Sequence, residues 1–282
     1  MEPVMMMTEK MRYEIFFKKE LQQIERNLGK ELSARRAAPA SIHNAMRYAV
    51  FSGGKRFRAV LALIACEACG GKLDQVMPAA LAIELIHTYS LVHDDLPALD
   101  NDDLRRGKPA CHKKFGDANA ILAGDALLTL AFELLADIRP PERAVRVLRE
   151  ISTAAGVHGM IGGQVADLAG SSRKSMKELD FICQNKTGQL IRASALAGAL
   201  AAGVSGQRLK RIANYGEFLG WAFQMVDDIL DEDGYALVLD RSEIIQKTKK
   251  LIAEAQKSAG SFGAKSGKLV GLAEFLESRI PI

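Results

Sequence analysis

The stretch AALAIELIHTYSLVHDDLPALD, residues 79–100, decides the reading of this chain. Its apolar residues lie nearly all the way round a helix, so the segment reads as a helix buried inside a bundle. Pro97 ends that helix soon after Asp94-Asp95, and Asp100 follows in a turn that folds it back toward Asp94. A second stretch, ANYGEFLGWAFQMVDDILD at residues 213–231, repeats the plan, an apolar helix closing on Asp227-Asp228-Ile-Leu-Asp231. Asp227 and Asp231 share a helix face with Gln224. If the two helices run side by side in one direction, their carboxylates face each other across the top of an interior cavity. Carboxylates packed this tightly repel one another, and burial raises the cost of keeping them ionised unless cations neutralise them. The pair therefore reads as a divalent-metal site. Magnesium suits it, because that ion takes oxygen ligands and is usually held by one or two carboxylates together with substrate phosphates.

Outward from these helices, apolar residues recur at three- and four-residue spacing almost throughout, and alternating β-branched runs are hard to find. The fold class is read as all-α, a bundle of ten or more helices around a central apolar cavity. Helices are expected over 8–32, 40–52, 55–69, 75–96, 118–136, 142–155, 158–169, 175–202, 206–231, 237–258 and 267–279. Breaks at Pro39, Gly53-Gly54, Gly70-Gly71, Pro97, Gly116, Pro140-Pro141, Gly170 through Arg173, Gly203 through Gly206 and Gly260 through Gly267 are too short for a domain linker. Residues 1–282 are read as one domain.

With 282 residues and 48% hydrophobic content the chain can bury a large core. Its net charge of +4 is dispersed, which implies no nucleic acid. Cysteines 66, 69, 111 and 183 form no disulfide framework and no signal peptide precedes them, so a reducing cytoplasm is expected. Cys66 and Cys69 have redox-motif spacing but fall in an Ala- and Leu-rich helical pattern, where two small buried thiols are the favoured reading. No uninterrupted apolar run of about eighteen residues exists, so stable membrane insertion is not expected.

Cations cluster beside the acidic motifs. Gly53-Gly54-Lys55-Arg56-Phe57-Arg58 joins a flexible turn to cations at a helix start, an arrangement suited to a diphosphate, and Arg105-Arg106-Gly107-Lys108 follows the first acid cluster. His87 stands seven residues before Asp94, two turns along the same face, and would look into the same cavity. Lys186-Thr187-Gly188 puts a cation, a hydroxyl and a glycine together. Gly162-Gly163-Gln164 with Asp167 gives close helix packing plus polar groups. Each feature alone is ordinary at a helix end or in a core; their combination and order are specific.

Gly54-Lys55-Arg56-Phe57-Arg58, Asp94-Asp95-x4-Asp100, Arg105-Arg106-Gly107-Lys108-Pro109, Gly163-Gln164-x-x-Asp167, Lys186-Thr187-Gly188 and Gln224-x-x-Asp227-Asp228-x-x-Asp231 resemble the trans-prenyl diphosphate synthases, in order, over about residues 40–235. The spacer in the first Asp motif and His87-Thr-Tyr-Ser-Leu-Val-His-Asp-Asp-Leu-Pro97 are similar to the bacterial short-chain members, above all farnesyl diphosphate synthases. The resemblance implies that Asp94, Asp95, Asp100, Asp227, Asp228 and Asp231 hold magnesium, three ions with substrate bound, that clamp an allylic diphosphate. It assigns Arg105, Lys186, Thr187 and Gln224 to that diphosphate. It assigns Gly54, Lys55, Arg58, His87 and Arg106 to isopentenyl diphosphate. Metal and cation contacts would stabilise the departing diphosphate, the isopentenyl double bond would attack the allylic cation, and the released diphosphate would take the last proton. Asp94, Asp95, Asp100, Asp227 and Lys186 are then the catalytic set. Tyr89, with Ser90 beside it, falls where the family sets product length. At 1.5 Å rise per residue it lies about 7 Å below the metal site, and its ring would stop a chain near about fifteen carbons.

The resemblance implies a homodimer whose substrates are isopentenyl and allylic diphosphates and whose product is farnesyl diphosphate. A geranylgeranyl diphosphate synthase and a non-catalytic regulatory subunit of a heteromeric synthase are the alternatives. The sequence departs from the family after Asp231: a Gly- and Lys-rich loop carrying a diphosphate-binding lysine is missing, and Lys247, Lys249 and Lys250 are possible substitutes. Ala59 replaces a common proline. A class I terpene cyclase is disfavoured by the second acid cluster and the Lys55–Arg58 motif. A di-iron bundle would need paired Glu-x-x-His motifs, and Glu84-Leu-Ile-His87 is the only one.

Overall fold

The computed structural model describes residues 8–34, 39–169 and 174–281. The expected break from Gly170 through Arg173 lies outside them. The described chain is helical almost throughout, in order α1 (Glu9–Phe16), α2 (Lys18–Ala34), α3 (Ala40–Phe51), α4 (Phe57–Ala68), α5 (Leu73–Asp94), α6 (Cys111–Phe115), α7 (Asp117–Ala136), α8 (Pro141–Ala155), α9 (Met160–Ala169), α10 (Met176–Ile182), α11 (Gln189–Ala201), α12 (Gly206–Asp231), α13 (Arg241–Gly260) and α14 (Gly267–Ser278). Thr8 caps the first by accepting from Met11 N–H at 3.3 Å, and Ser175 and Glu178 cap α10 reciprocally.

The all-α expectation holds, with local corrections. The expected 8–32 helix breaks at Phe17. The expected 175–202 helix is interrupted over Cys183–Gly188 by one turn of π-helix. Between α5 and α6 the chain forms a small antiparallel ribbon, β1 (Leu104–Arg105) paired with β2 (Lys108–Pro109). Its turn residues, Arg106 and Gly107, have φ of 54° and 75°, the left-handed pair that a two-residue hairpin requires. Composition hid this ribbon because it has only two residues per strand.

α11 is buried along nearly its whole length and packs against α4, α5, α8 and α12. Its small residues permit the approach: a Cβ on Gly198 would lie 2.8 Å from Cys66 N in α4. α5 is buried on nearly every side, as expected. α12 is not apolar all round; it buries a stripe from Ile212 through Tyr215, Leu219, Ala222 and Val226 to Ile229, and leaves Leu230 exposed. α5 and α7 are long and apolar enough to cross a membrane by length and composition, but α5 is 72% buried within the protein over that window and α7 44%. Cys66 and Cys69 are free and buried, and burial pushes their thiols up to about 12 and about 11.

Candidate active site

α5 delivers Asp94 to the wall of a cavity of about 340 Å³ that His87, Tyr89, Lys186 and Thr187 also line. The Asp94 carboxylate faces this space without a hydrogen bond to any described residue. Burial first, and then the charges of Asp100 and Asp95, raise its pKa to about 6 against the opposing pull of Lys186 and Arg105. The expected fold-back exists in the backbone: Asp100 N–H donates to Asp94 O at 2.9 Å. Asp95 turns the other way. It is buried and accepts from Arg105 Nε at 2.8 Å, and Arg105 also donates to Asp102 Oδ2 at 3.0 Å.

At the end of α12, Asp228 accepts from Gln224 Nε2 at 2.7 Å and from Tyr235 N–H at 2.9 Å, while burial raises its pKa to about 6. Asp227 accepts from Arg279 Nη2 at 2.7 Å. Asp231 is exposed at the helix end. Glu232 then turns left-handed with φ of 55°, and a 3₁₀ turn over Gly234–Leu237 buries Tyr235, whose hydroxyl donates to Asp180 Oδ1 at 2.6 Å. The short connection that replaces the expected loop thus folds down onto Asp228.

The π-turn lies between the two clusters. A Cβ on Gly163 of α9 would come within 2.6 Å of Lys186 Cα, and one on Gly220 of α12 within 3.0 Å of Gly188 Cα, so the two glycines let both helices close on the π-turn. Lys186 Nζ donates to Asp167 Oδ2 at 2.7 Å and Thr187 Oγ1 to Gln224 Oε1 at 2.6 Å. Lys186 also lines a second cavity of about 280 Å³ with Asp167, Lys174, Gln224 and Asp228. Burial opposes ionisation of Asp167, but hydrogen bonds from Lys174 and Lys186 outweigh it and lower its pKa.

The six aspartates do not converge as one ligand set: among the described residues no group of three or more Asp, Glu, His or Cys side chains lies close enough to hold a metal ion. Arg105 on Asp95 and Arg279 on Asp227 supply the positive charge instead. The carboxylates of Asp94, Asp100 and Asp231 have no hydrogen bond or ion pair to a described residue. Such hard oxygen donors fit magnesium bound by one or two carboxylates, with the remaining positions left to a diphosphate and water.

Behind the first cluster, Arg58 and His87 line the same cavity and feel the charge of Arg106, while Lys55 lies over the Phe275 ring at 5.9 Å, nearer Arg279 and Asp227. Gly53 and Gly54 have φ of 113° and 124°, and a Cβ on Gly54 would lie 2.8 Å from Arg106 Cζ, so Gly54 admits that guanidinium. Arg106 also donates to Gly53 O. Arg58 is buried with its Nε unpaired, and burial draws its pKa down to about 10. His87 is held well below its usual range, first by burial and then by Arg58, Arg106, Arg56 and Arg105, so it is neutral. Arg56, by contrast, is buried in ion pairs with Glu25 at 2.7 Å and Glu84 at 3.2 Å.

Several participants escaped the sequence reading. Arg279 lies far beyond the motifs, and only the return of α14 brings it to Asp227. Lys174 donates to Asp167 Oδ1 at 2.6 Å. Lys247, Lys249 and Lys250 lie on α13 and line neither cavity. Ser90 lines the larger cavity and donates to His87 O at 3.0 Å.

Residues 39–249 match the family model described as polyprenyl synthetase. The chain is 47% identical over 227 residues to the heterodimeric geranylgeranyl pyrophosphate synthase large subunit 1, chloroplastic, of Arabidopsis thaliana, covering 77% of this chain but only 60% of that protein. It is 44% identical to the farnesyl diphosphate synthase of Geobacillus stearothermophilus, covering 78% of this chain and 76% of that one. A geranyltransferase structure from Legionella pneumophila superposes with a TM-score of 0.88 at 34% identity, covering 96% of this chain and 99% of that one.

Proposed function

The chain belongs to the polyprenyl synthetase family, and from that premise we propose that it condenses isopentenyl diphosphate head to tail (1′-4) with dimethylallyl or geranyl diphosphate to give chiefly farnesyl diphosphate. The observation that carries the reading is one apolar cavity lined together by Asp94, Lys186, Thr187, Tyr89, Arg58 and His87.

Lys186 and Thr187, fixed by Asp167 and Gln224, orient the allylic diphosphate, with Arg105 beside it. Lys55, Arg58, Arg106 and neutral His87 hold the isopentenyl diphosphate. Asp94, Asp100, Asp227, Asp228 and Asp231 supply the carboxylates for magnesium, whose chemistry when bound is to neutralise the charge that develops on the departing diphosphate. The apolar wall keeps water from the allylic cation, and the released diphosphate accepts the final proton. Asp95, already committed to Arg105, acts by holding that guanidinium.

Tyr89 supports the shorter product, while the similarity to a geranylgeranyl synthase keeps the longer one as the alternative. A cytoplasmic homodimer completes the proposal. The exposed apolar residues Ile121, Leu122 and Phe132 on α7, Val145 on α8 and Ile161 on α9 support a subunit interface there.

Incubation of the purified chain with isopentenyl diphosphate and each allylic starter, with and without magnesium, followed by chromatography of the dephosphorylated products, tests the reaction. A magnesium-dependent fifteen-carbon alcohol is the expected product. Failure with every starter would move the reading to a non-catalytic subunit. Light scattering at micromolar concentration tests the dimer.

A further inference from the structure

Glu84, set aside above as half of a lone Glu-x-x-His pair, is only 2% exposed and stands one helical turn before His87 on α5. Its Oε1 accepts from Arg56 Nη1 at 3.2 Å, and its Oε2 is buried without a partner. Arg56 is held on three sides, by Glu84, by Glu25 at 2.7 Å and by Val50 O at 2.6 Å. It adopts the left-handed conformation, φ 52°, at the start of α4, between Lys55 and Arg58. That geometry is unfavourable for a side-chain-bearing residue and persists because its guanidinium is pinned.

The charges around this carboxylate are almost all positive. Glu84 is the leading favourable charge on Arg58 and on Arg106, and it pairs directly with Arg56. Tyr13 faces it from α1 with its own hydroxyl buried and unpaired. Buried Glu84 and partly exposed Glu25 thus face three guanidinium groups, and the net charge left over is positive. A diphosphate would meet an unpaired donor there: Arg58 Nε has no partner among the described residues.

We propose that Glu84 is a positioning residue of the isopentenyl diphosphate pocket, holding Arg56, and through it the turn that presents Lys55 and Arg58, while its free oxygen keeps the guanidinium cluster together until the diphosphate arrives. The proposal rests on the assignment of that pocket made above. It separates two groups of cations: Arg56 serves the protein, whereas Arg58 and Arg106 serve the ligand. Loss of the Glu84 charge leaves Arg56 with Glu25 as its one ion-pair partner among the described residues, loosens the turn and lets the remaining cations repel one another, all on the isopentenyl side of the cavity.

Steady-state kinetics with each substrate varied separately, for the unaltered protein, Glu84→Gln, Glu84→Asp and Arg58→Gln, tests the role. Glu84→Gln should raise the KM for isopentenyl diphosphate about tenfold while the allylic KM stays within about twofold, and Glu84→Asp, which keeps the charge, should recover most of the loss. Equal shifts in both KM values, no shift, or an Asp variant as impaired as the Gln variant would overturn it. If Glu84→Gln does not fold, the double variant Glu84→Gln/Arg56→Gln removes both members of the buried pair together; an unchanged isopentenyl KM in that protein would also overturn it. Arg58→Gln tests the pocket itself: if it leaves the isopentenyl KM untouched the pocket assignment fails, whereas a raised KM there with none in the Glu84 variants removes only the role of Glu84.

Discussion

Arg279, the residue that ends α14, donates to Asp227 Oδ1 at 2.7 Å with its side chain only 11% exposed, so the last helix places a guanidinium on the second acid cluster. The same guanidinium lies over the Phe223 ring, 5.8 Å from its centre, and Arg58 lies over that ring at 5.9 Å. One phenyl ring therefore meets both the Arg58 guanidinium and the guanidinium on Asp227.

A carboxylate oxygen engaged by Arg279 must be released or shared before an ion can use it. Arg279→Gln is therefore expected to lower the magnesium concentration for half-maximal rate by about threefold, about 0.7 kcal/mol. Initial rates against magnesium at saturating substrates check this; a raised magnesium requirement would contradict it.

Asp94 and Asp228 both titrate at about 6 in the folded protein, against 3.8 for an ordinary aspartate. Between those values the folded state binds more protons than the unfolded one, so without metal the stability these groups contribute is full below the lower value and is lost as pH rises through about 6. Asp94→Asn should then melt higher than the unaltered protein at pH 8 in EDTA, by about 3 °C, and by only about 1 °C at about pH 4.5, where folded Asp94 is protonated and the unfolded chain has begun to be. Calorimetry at the two pH values decides it. The same variant should lose about a hundredfold or more in rate, because the carboxylate is needed with metal bound.

Gly163 has the α9 backbone pressed against the π-turn, with Lys186 Cα 2.6 Å from where a Cβ would stand. Backbone cannot yield as a side chain can, so Gly163→Ala should destabilise the fold by about 2 kcal/mol and displace Lys186 from Asp167. Urea melts and the allylic KM, expected to rise while the isopentenyl KM holds, check the two halves separately. A variant of full stability and unaltered kinetics would show that the helix can shift at no cost.

The helices and the ends of α5 and α12 were legible because their signal is local: apolar spacing, a proline, a pair of aspartates. Even the Asp100 turn was readable from Pro97. What sequence could not carry was pairing across distance. Asp95 and Asp94 are neighbours in the chain, yet one is buried against Arg105 and the other faces the cavity, a choice made by the β1–β2 hairpin that aims Arg105. Arg56 and Arg58 look equivalent in a basic run, but the left-handed turn sends one to Glu84 and leaves the other with an open Nε. The π-turn was invisible because its residues fit an ordinary helix; only contact with Gly163 and Gly220 shows where it lies.

Tyr89 combines the features that a chain-length stop requires. It lines the same cavity as Asp94, one turn and a residue earlier on α5, and its ring meets His93 edge-on at 5.7 Å, which fixes its rotamer. Its hydroxyl is buried with no partner, so the ring is kept there at a cost that an ordinary core position would not bear. Behind it, His93 Nε2 lies 3.1 Å from Ile121 O and fills the space over Gly124, where a Cβ would meet His93 Cε1 at 2.8 Å. Removing the Tyr89 ring therefore opens volume that His93 cannot collapse into, because Gly124 and Ile121 hold it. Tyr89→Ala should shift the main product from about fifteen to about twenty carbons with little loss of turnover, since each added isoprene unit needs roughly the depth of three helical residues. Chromatography of dephosphorylated products after exhaustive reaction reads the outcome, and unchanged chain lengths would remove Tyr89 from the role and turn attention to His93.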